Sequence, residues 1–231
     1  MQTPPEQPRR SEPPARRSPG RPPVPPDRIV AAAMRIVDEE GAEALSMRTL
    51  AKRLGSGTAT LYRHFDNRAE VVAQVTDRLF GMIDIEPGPA ATEWREACRT
   101  MMENVFAVLR RHRGVAPLLM EESPAGPHAR AVRERCVALL LDNGFSPRIA
   151  AQAYATLARY VLGFAMQLGE QGRPGDEPPD KRAPTPVHPA DPSLYPATTR
   201  VAAFLPVPLE EEFSFGLGLL IEGLAQLRDG A

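Results

Sequence analysis

The residues with the clearest chemical promise lie in one short run, Thr58-Ala59-Thr60-Leu61-Tyr62-Arg63-His64-Phe65. Wound as a helix, this run turns Leu61 and Phe65, four residues apart, to one face. The other face carries Thr58, Ala59, Thr60, Tyr62, Arg63 and His64. Small, hydroxylated and cationic side chains of this kind reach base edges and phosphate oxygens, so the helix could enter a DNA major groove. Each residue also has a plainer use. Tyr62 could be a packed aromatic, His64 a surface histidine, and Thr60 a group that stiffens the helix.

Such a face is useful only if other elements hold it out. Leu50, Ala51 and Leu54 share one side of a preceding helix, and Gly55 supplies the tight turn between the two, a helix-turn-helix pattern. Leu50, Leu54, Leu61 and Phe65 are assigned to its core. Upstream, Ile29, Ala32, Ala33, Ile36 and Val37 mark a helix from about Asp27, as N-cap, to Glu40, stopped by Gly41. Downstream, Asn67 with Glu70 forms a capping box for a fourth helix, striped by Val71, Val75, Leu79 and Met82 as far as about Ile85. The expected organisation is all-α: a helix-turn-helix domain over residues 27–72, then a helical domain over 73–231.

Composition sets bounds on the partners. With 42% apolar and 25% charged residues, the chain reads as an ordinary soluble globular protein. No run approaches 18 uninterrupted apolar residues, so no membrane span is expected. The first residues lack the apolar core of a secretory signal, and Cys98 and Cys136 fit a reducing interior, which makes the cytoplasm the expected compartment. The net charge of −1 conceals an asymmetry: residues 1–68 carry 12 Lys/Arg against 8 Asp/Glu, the remainder 16 against 21. Positive charge is thus concentrated beside the candidate DNA reader, where phosphates would be neutralised. Residues 1–26 hold ten prolines, too many for a packed element, and read as a disordered basic arm. It is either a solubilising tail or an arm that tracks phosphates or enters the minor groove, with Arg17 and Arg21 as its contacts.

The back of the chain reads as a bundle. Helices are expected from Glu93, capped by Thr92, to Arg113, over 115–121, from His128 to Asp142, from Pro147 to Leu168, and from Leu209 through Leu227. Trp94, Met101, Met102 and Phe106, with Arg159, Tyr160 and Phe164, supply aromatic, thioether and a few polar groups suited to an apolar or amphiphilic small molecule. The same residues could simply fill a core. The basic turn Arg110–Arg113 suits a helix C-terminus. Ten prolines over residues 169–208 exclude a continuous helix there, leaving a long loop that either covers a pocket entrance or is a tolerated insertion. The last helix is apolar on more than one face, as if it packs on its own core and on a partner subunit.

Catalytic patterns are missing: there is no phosphate-cradling glycine loop, no metal-spaced His/Cys set and no nucleophile with a recognisable base. A helical small-molecule enzyme is therefore the lowest-ranked reading, and no cofactor is expected. Cys98 and Cys136 allow a redox-sensing alternative, although thiols on separate apolar helices are usually plain core residues.

Helix 1 from Ile29 to Gly41, Leu-Ala-Lys-Arg-Leu-Gly at 50–55, Thr-Leu-Tyr-Arg-His-Phe at 60–65 and Asn67-Arg68 together resemble TetR-type transcriptional repressors. Phe213-Ser214-Phe215-Gly216-Leu217 with Glu222-Gly223-Leu224 looks like the last helix of the tetracycline-repressor subgroup. The resemblance implies an all-helical homodimer whose first three helices bind double-stranded DNA and whose remaining helices bind a small-molecule effector and dimerise. It places Arg48, Thr58, Ala59 and Thr60 against bases, and Tyr62, His64 and Arg68 near phosphate or the groove edge. A two-fold dimer would bind a palindromic operator. An effector favouring another spacing of the reading helices would release it, with helix 4 carrying the shift. Tetracycline-binding members use particular His and Glu residues for magnesium. His112 and the glutamates here have no spacing that places such a site, so no metal is expected.

Overall fold

The computed structural model describes residues 24–85, 93–121, 124–170 and 191–229, and its regular elements are all helical. In order they are α1 (Pro26–Glu40), α2 (Met47–Leu54), α3 (Thr58–Tyr62), α4 (Arg68–Phe80), α5 (Trp94–Arg111), α6 (Ala116–Glu121), α7 (Pro127–Asp142), α8 (Pro147–Glu170), α9 (Pro196–Val201) and α10 (Leu209–Asp229). Short 3-10 turns occupy Ala42–Ala44, Arg113–Val115 and Ala202–Phe204.

Local chemistry accounts for most boundaries. Pro25 takes the N-cap of α1, Pro26 begins the helix, and Asp27, the expected cap, lies inside the first turn, where its charge suits the positive end. Ser46 Oγ accepts the Thr49 N–H at 3.0 Å to start α2. Gly55 ends that helix at φ 61°, a left-handed conformation that glycine adopts without a Cβ penalty. Asn67 Oδ1 accepts the Glu70 N–H at 3.0 Å while Glu70 Oε2 accepts the Asp66 N–H at 2.7 Å, so the reciprocal cap read from the sequence forms at α4. This helix ends at Phe80 rather than Ile85, and Met82 is exposed rather than part of its buried stripe.

The stretch read as one irregular loop over 169–208 is only partly irregular. α8 runs two residues beyond Leu168, and α9 begins with Pro196 in its first turn, where a missing N–H costs nothing. Thr92 and residues 171–190 of that stretch lie outside the described residues.

α1, α2, α3 and the start of α4 enclose a small core around Ile29, Ile36, Leu50, Leu61 and Phe65, whereas Leu54 is half-buried at its edge. α5, α7, α8 and α10 pack on one another to form the larger body. Contacts at the 113–115 turn, at His112 and at Asp77 help dock the front on the back. The 113–115 turn lies so close to α1 that a Cβ on Gly114 would fall 2.1 Å from the Val37 carbonyl oxygen. Next to it, His112 Nδ1 meets Asp38 Oδ2 at 2.9 Å. Farther along, buried Asp77 on α4 accepts the backbone N–H groups of His128 at 3.0 Å and Ala129 at 3.1 Å, capping α7, and meets His128 Nδ1 at 2.9 Å. α4 is therefore fixed to both halves of the molecule.

Candidate nucleic-acid interface and core cavity

The reading face is held out by an apolar anchor and a polar brace. Leu61 is fully buried and Phe65 nearly so, which fixes the rotation of α3 and leaves Thr58, Ala59, Tyr62 and Arg63 exposed, with Thr60 half-buried. Tyr62 is 53% exposed, too open for a packed core aromatic. Arg48 stands exposed in the first turn of α2. Arg53 donates to Glu39 at 2.6 Å and also to Glu40, bracing α2 against the end of α1. Arg48, Thr58, Ala59, Thr60 and Tyr62 therefore belong to the short helices α2 and α3, supported by one core.

Two members of the expected set are placed differently. His64 is half-buried, and its Nε2 is enclosed with no hydrogen-bond partner among the described residues. Arg68 points back into the protein. Its Nε donates to the Leu45 carbonyl at 2.8 Å and Nη2 to the Ala42 carbonyl at 3.2 Å, while Nη1 meets Glu121 Oε2 at 2.6 Å. All three guanidinium nitrogens are engaged by the protein, so Arg68 acts as a clamp joining the 42–45 turn, the start of α4 and the end of α6. In this arrangement the planar donors of Arg68 bond protein oxygens. Arg17 and Arg21 lie outside the described residues.

Behind this unit lies a cavity of about 160 Å³ between α5, α7 and α8. Met101 and Met102 of α5 line it, as expected, and Cys98, Val132, Cys136, Leu157 and Val161 extend its apolar wall. Phe80 closes it from α4 and Leu119 from α6. Among the described residues the polar lining consists of Arg133 and Tyr154, with Arg133 Nε 3.4 Å from Tyr154 Oη and Arg133 Nη2 donating to the Pro124 carbonyl at 3.1 Å. Because Arg133 is exposed and also lines the cavity, it stands where the cavity meets solvent.

The other residues expected at a ligand do not line this cavity. Phe106 stacks on Phe213 at 4.0 Å between ring centres, and Phe164 meets Phe213 edge-on at 5.5 Å, forming an aromatic seam between α5, α8 and α10. Tyr160 Oη donates to the Phe213 carbonyl at 2.7 Å, and a Cβ on Gly216 would fall 2.3 Å from Tyr160 Oη, so this polar end is committed to helix packing. Burial, followed by the nearby Glu212 carboxylate, raises the Tyr160 hydroxyl pKa. Trp94 packs edge-on against Phe145 at 5.0 Å, with the Arg95 and Arg228 guanidinium groups over its ring. Arg159 is exposed on α8. Sequence reading favoured these residues because large aromatics mark cores and pockets alike. It missed Arg133, which meets Tyr154 across 21 positions of sequence and carries no local motif.

The thiols are poor redox centres. Cys98 and Cys136 are unpaired and buried. Burial pushes their pKa values up to about 11 and about 12, respectively, so the nucleophilic thiolate is scarce at neutral pH. Cys136 Sγ lies 3.0 Å from Met101 Sδ, a packing contact inside the cavity wall. Among the described residues, no three His, Cys, Asp or Glu side chains group to hold a metal, and no helix is long and apolar enough to cross a membrane.

Comparison with known proteins agrees with this two-part construction. Residues 29–75 match the model for bacterial regulatory proteins of the tetR family, and residues 86–228 match the tetracyclin repressor-like C-terminal domain. An HTH-type transcriptional regulator of Saccharopolyspora erythraea is 34% identical over 139 residues, which span 59% of this chain and 58% of that one. The HTH-type transcriptional repressor DrrR1 of Streptomyces coeruleorubidus is 32% identical over 146 residues, 63% of this chain and 54% of the relative. The match thus spans little more than half the length of these curated relatives. Among solved structures, ActR of Streptomyces coelicolor in complex with (S)-DNPA superposes with a TM-score of 0.73 at 29% identity, covering 90% of this chain and 99% of that one. ActR has also been solved in complex with actinorhodin. Its helical fold, its reading unit at the front and the two family matches that together cover most of its length identify this chain as a member of the TetR family of bacterial transcriptional regulators.

Proposed function

We propose that the protein is a homodimeric transcriptional repressor that holds a palindromic double-stranded operator and is released from it by a small apolar or amphiphilic molecule bound in the α5–α7–α8 cavity. One observation carries the reading: Phe80 in the cavity wall lies at the C-terminal end of α4, whose N-terminal residue Arg68 clamps the reading unit. A molecule that displaces Phe80 pushes on the helix that positions α2 and α3. If it binds the DNA-free arrangement more tightly, linkage requires that it weaken DNA binding by the same factor. The ligand complexes of ActR support the same use of the helical body.

In this reading Arg48, Thr58, Ala59 and Thr60 face bases and Tyr62 reaches a phosphate or groove edge. The domain boundary falls within α4, near residue 72. The dimer forms through α8 and α10, where Phe215, Leu219 and Leu227 stand exposed on α10 and Gly163 offers a small exposed residue on α8. Two copies related by a two-fold axis present their reading helices to half-sites about 34–36 Å apart, or a multiple of that. Electrophoretic mobility-shift titration against an operator duplex, with and without a cavity ligand, tests the reading. Binding that the ligand reverses is expected, whereas absence of duplex binding at low salt would defeat it.

A further inference from the structure

The cavity's lining narrows the class of molecule it takes, an inference that rests on the cavity being the effector site. Its wall is apolar and rich in sulfur: Cys98, Met101, Met102 and Cys136 all face it. Polarisable sulfur makes favourable contacts with aromatic rings. The space is compact, about 160 Å³, comparable to engineered apolar cavities of about 150 Å³ that hold benzene, so it accommodates one ring and a second toward the opening. At that opening stands Arg133, the one charged side chain among the described lining residues. Among the described residues, no carboxylate lines the cavity and Arg133 has no carboxylate partner within salt-bridge distance. Tyr154 Oη, 3.4 Å from Arg133 Nε, adds a second donor beside the guanidinium.

We infer that the cavity selects a compact one- or two-ring aromatic carboxylic acid, its rings against the sulfur-lined wall and its carboxylate held at the opening by Arg133 with help from Tyr154. The recognition is asymmetric. A guanidinium bound to a carboxylate makes charge-assisted, geometrically matched bonds, whereas an ester loses the charge and a cationic ligand is repelled. Arg133 retains its bonds to the Pro124 carbonyl through Nη2 and to Tyr154 Oη through Nε, which leaves Nη1 to face the ligand and the Tyr154 hydroxyl proton to join it. The ring system supplies affinity through burial, and the anionic group supplies the choice among molecules of similar shape.

The test uses the full chain and three probes: 2-naphthoate, methyl 2-naphthoate and 2-(aminomethyl)naphthalene. Dissociation constants are measured by isothermal titration calorimetry. The acid is expected to bind at least about tenfold more tightly than the ester, with the amine weakest. Arg133→Gln should bring the acid-to-ester ratio close to one. Arg133→Lys, which keeps the charge, should retain most of the preference, and Tyr154→Phe should reduce it without abolishing it. The ratio reports the anionic contact even if a variant changes overall packing, and Tyr154→Phe carries the test should Arg133→Gln not fold. Equal affinity for acid and ester in the unaltered protein, an acid preference that survives Arg133→Gln, or failure of all three probes to bind would overturn the inference. A mobility-shift assay run in parallel separates the two readings: acid-selective binding that leaves DNA bound would preserve the ligand assignment and defeat the release mechanism.

Discussion

Replacing Arg68 by alanine separates two roles that its charge could serve. As a clamp, Arg68 contributes two hydrogen bonds to the Leu45 and Ala42 carbonyls and an ion pair with Glu121. Bonds from a charged donor are worth about 1.5–3 kcal/mol each when shielded, while an exposed ion pair adds about 0–1 kcal/mol. The side chains of this pair are 34% and 43% exposed, so the lower ends of those ranges apply. A net loss of about 2–4 kcal/mol follows. Chemical denaturation should show this loss for Arg68→Ala, whereas Glu121→Gln should cost less than about 1 kcal/mol because it leaves the carbonyl bonds intact. The second readout is the salt dependence of operator binding. A phosphate contact made once per subunit would remove about 1.8 from the slope of log K against log salt in a dimer. The clamp predicts weaker binding with an unchanged slope. A slope that falls by nearly that amount, with stability unaltered, would refute the clamp and restore Arg68 to the DNA surface.

Other perturbations test separate parts of the account. Gly114→Ala drives a methyl group into the Val37 carbonyl oxygen, 2.1 Å from its ideal position, and should destabilise the docking of α1 on the body by about 1–3 kcal/mol, seen as a lower thermal midpoint. Both cavity thiols are held protonated by burial, with pKa values of about 11 and about 12 against an ordinary 9.0. Between those values the unfolded chain releases protons that the folded chain keeps, so stability should fall as pH rises from about 9 toward 12. Cys98→Ala with Cys136→Ala should flatten that fall in denaturation curves measured across this window, and no flattening would argue against the buried thiols as its source. Phe215→Glu with Leu219→Glu places charges on the exposed face of α10 and should convert the dimer to monomer in analytical ultracentrifugation, with loss of tight operator binding.

The front of the molecule was legible because its information is local. The periodic apolar residues of α1, the Gly55 turn and the Asn67–Glu70 cap each act within a few positions, and the structure places them accordingly. The Arg68 clamp is not legible in the sequence because its acceptors include Glu121, 53 residues away, which no pattern around Asn67-Arg68 reveals. The cavity illustrates the same limit. Met101 and Phe106 both lie on the buried side of α5, but Met101 borders open space whereas Phe106 is covered by Phe213 of the last helix. That difference belongs to the arrangement of α10 and α8 rather than to the sequence of α5. Pro196 illustrates a smaller failure: a dense run of prolines suppressed the expectation of helix, although proline in a first turn is compatible with α9.

The most direct test of the central claim is selection of bound duplexes from a random-sequence DNA library, followed by hydroxyl-radical footprinting of the selected site at several salt concentrations. The account predicts a two-fold symmetric sequence with half-sites one helical turn or a multiple apart, and protection that Arg48→Ala and Tyr62→Phe weaken. Enrichment of no sequence, or protection of a single asymmetric site by a monomer, would contradict it.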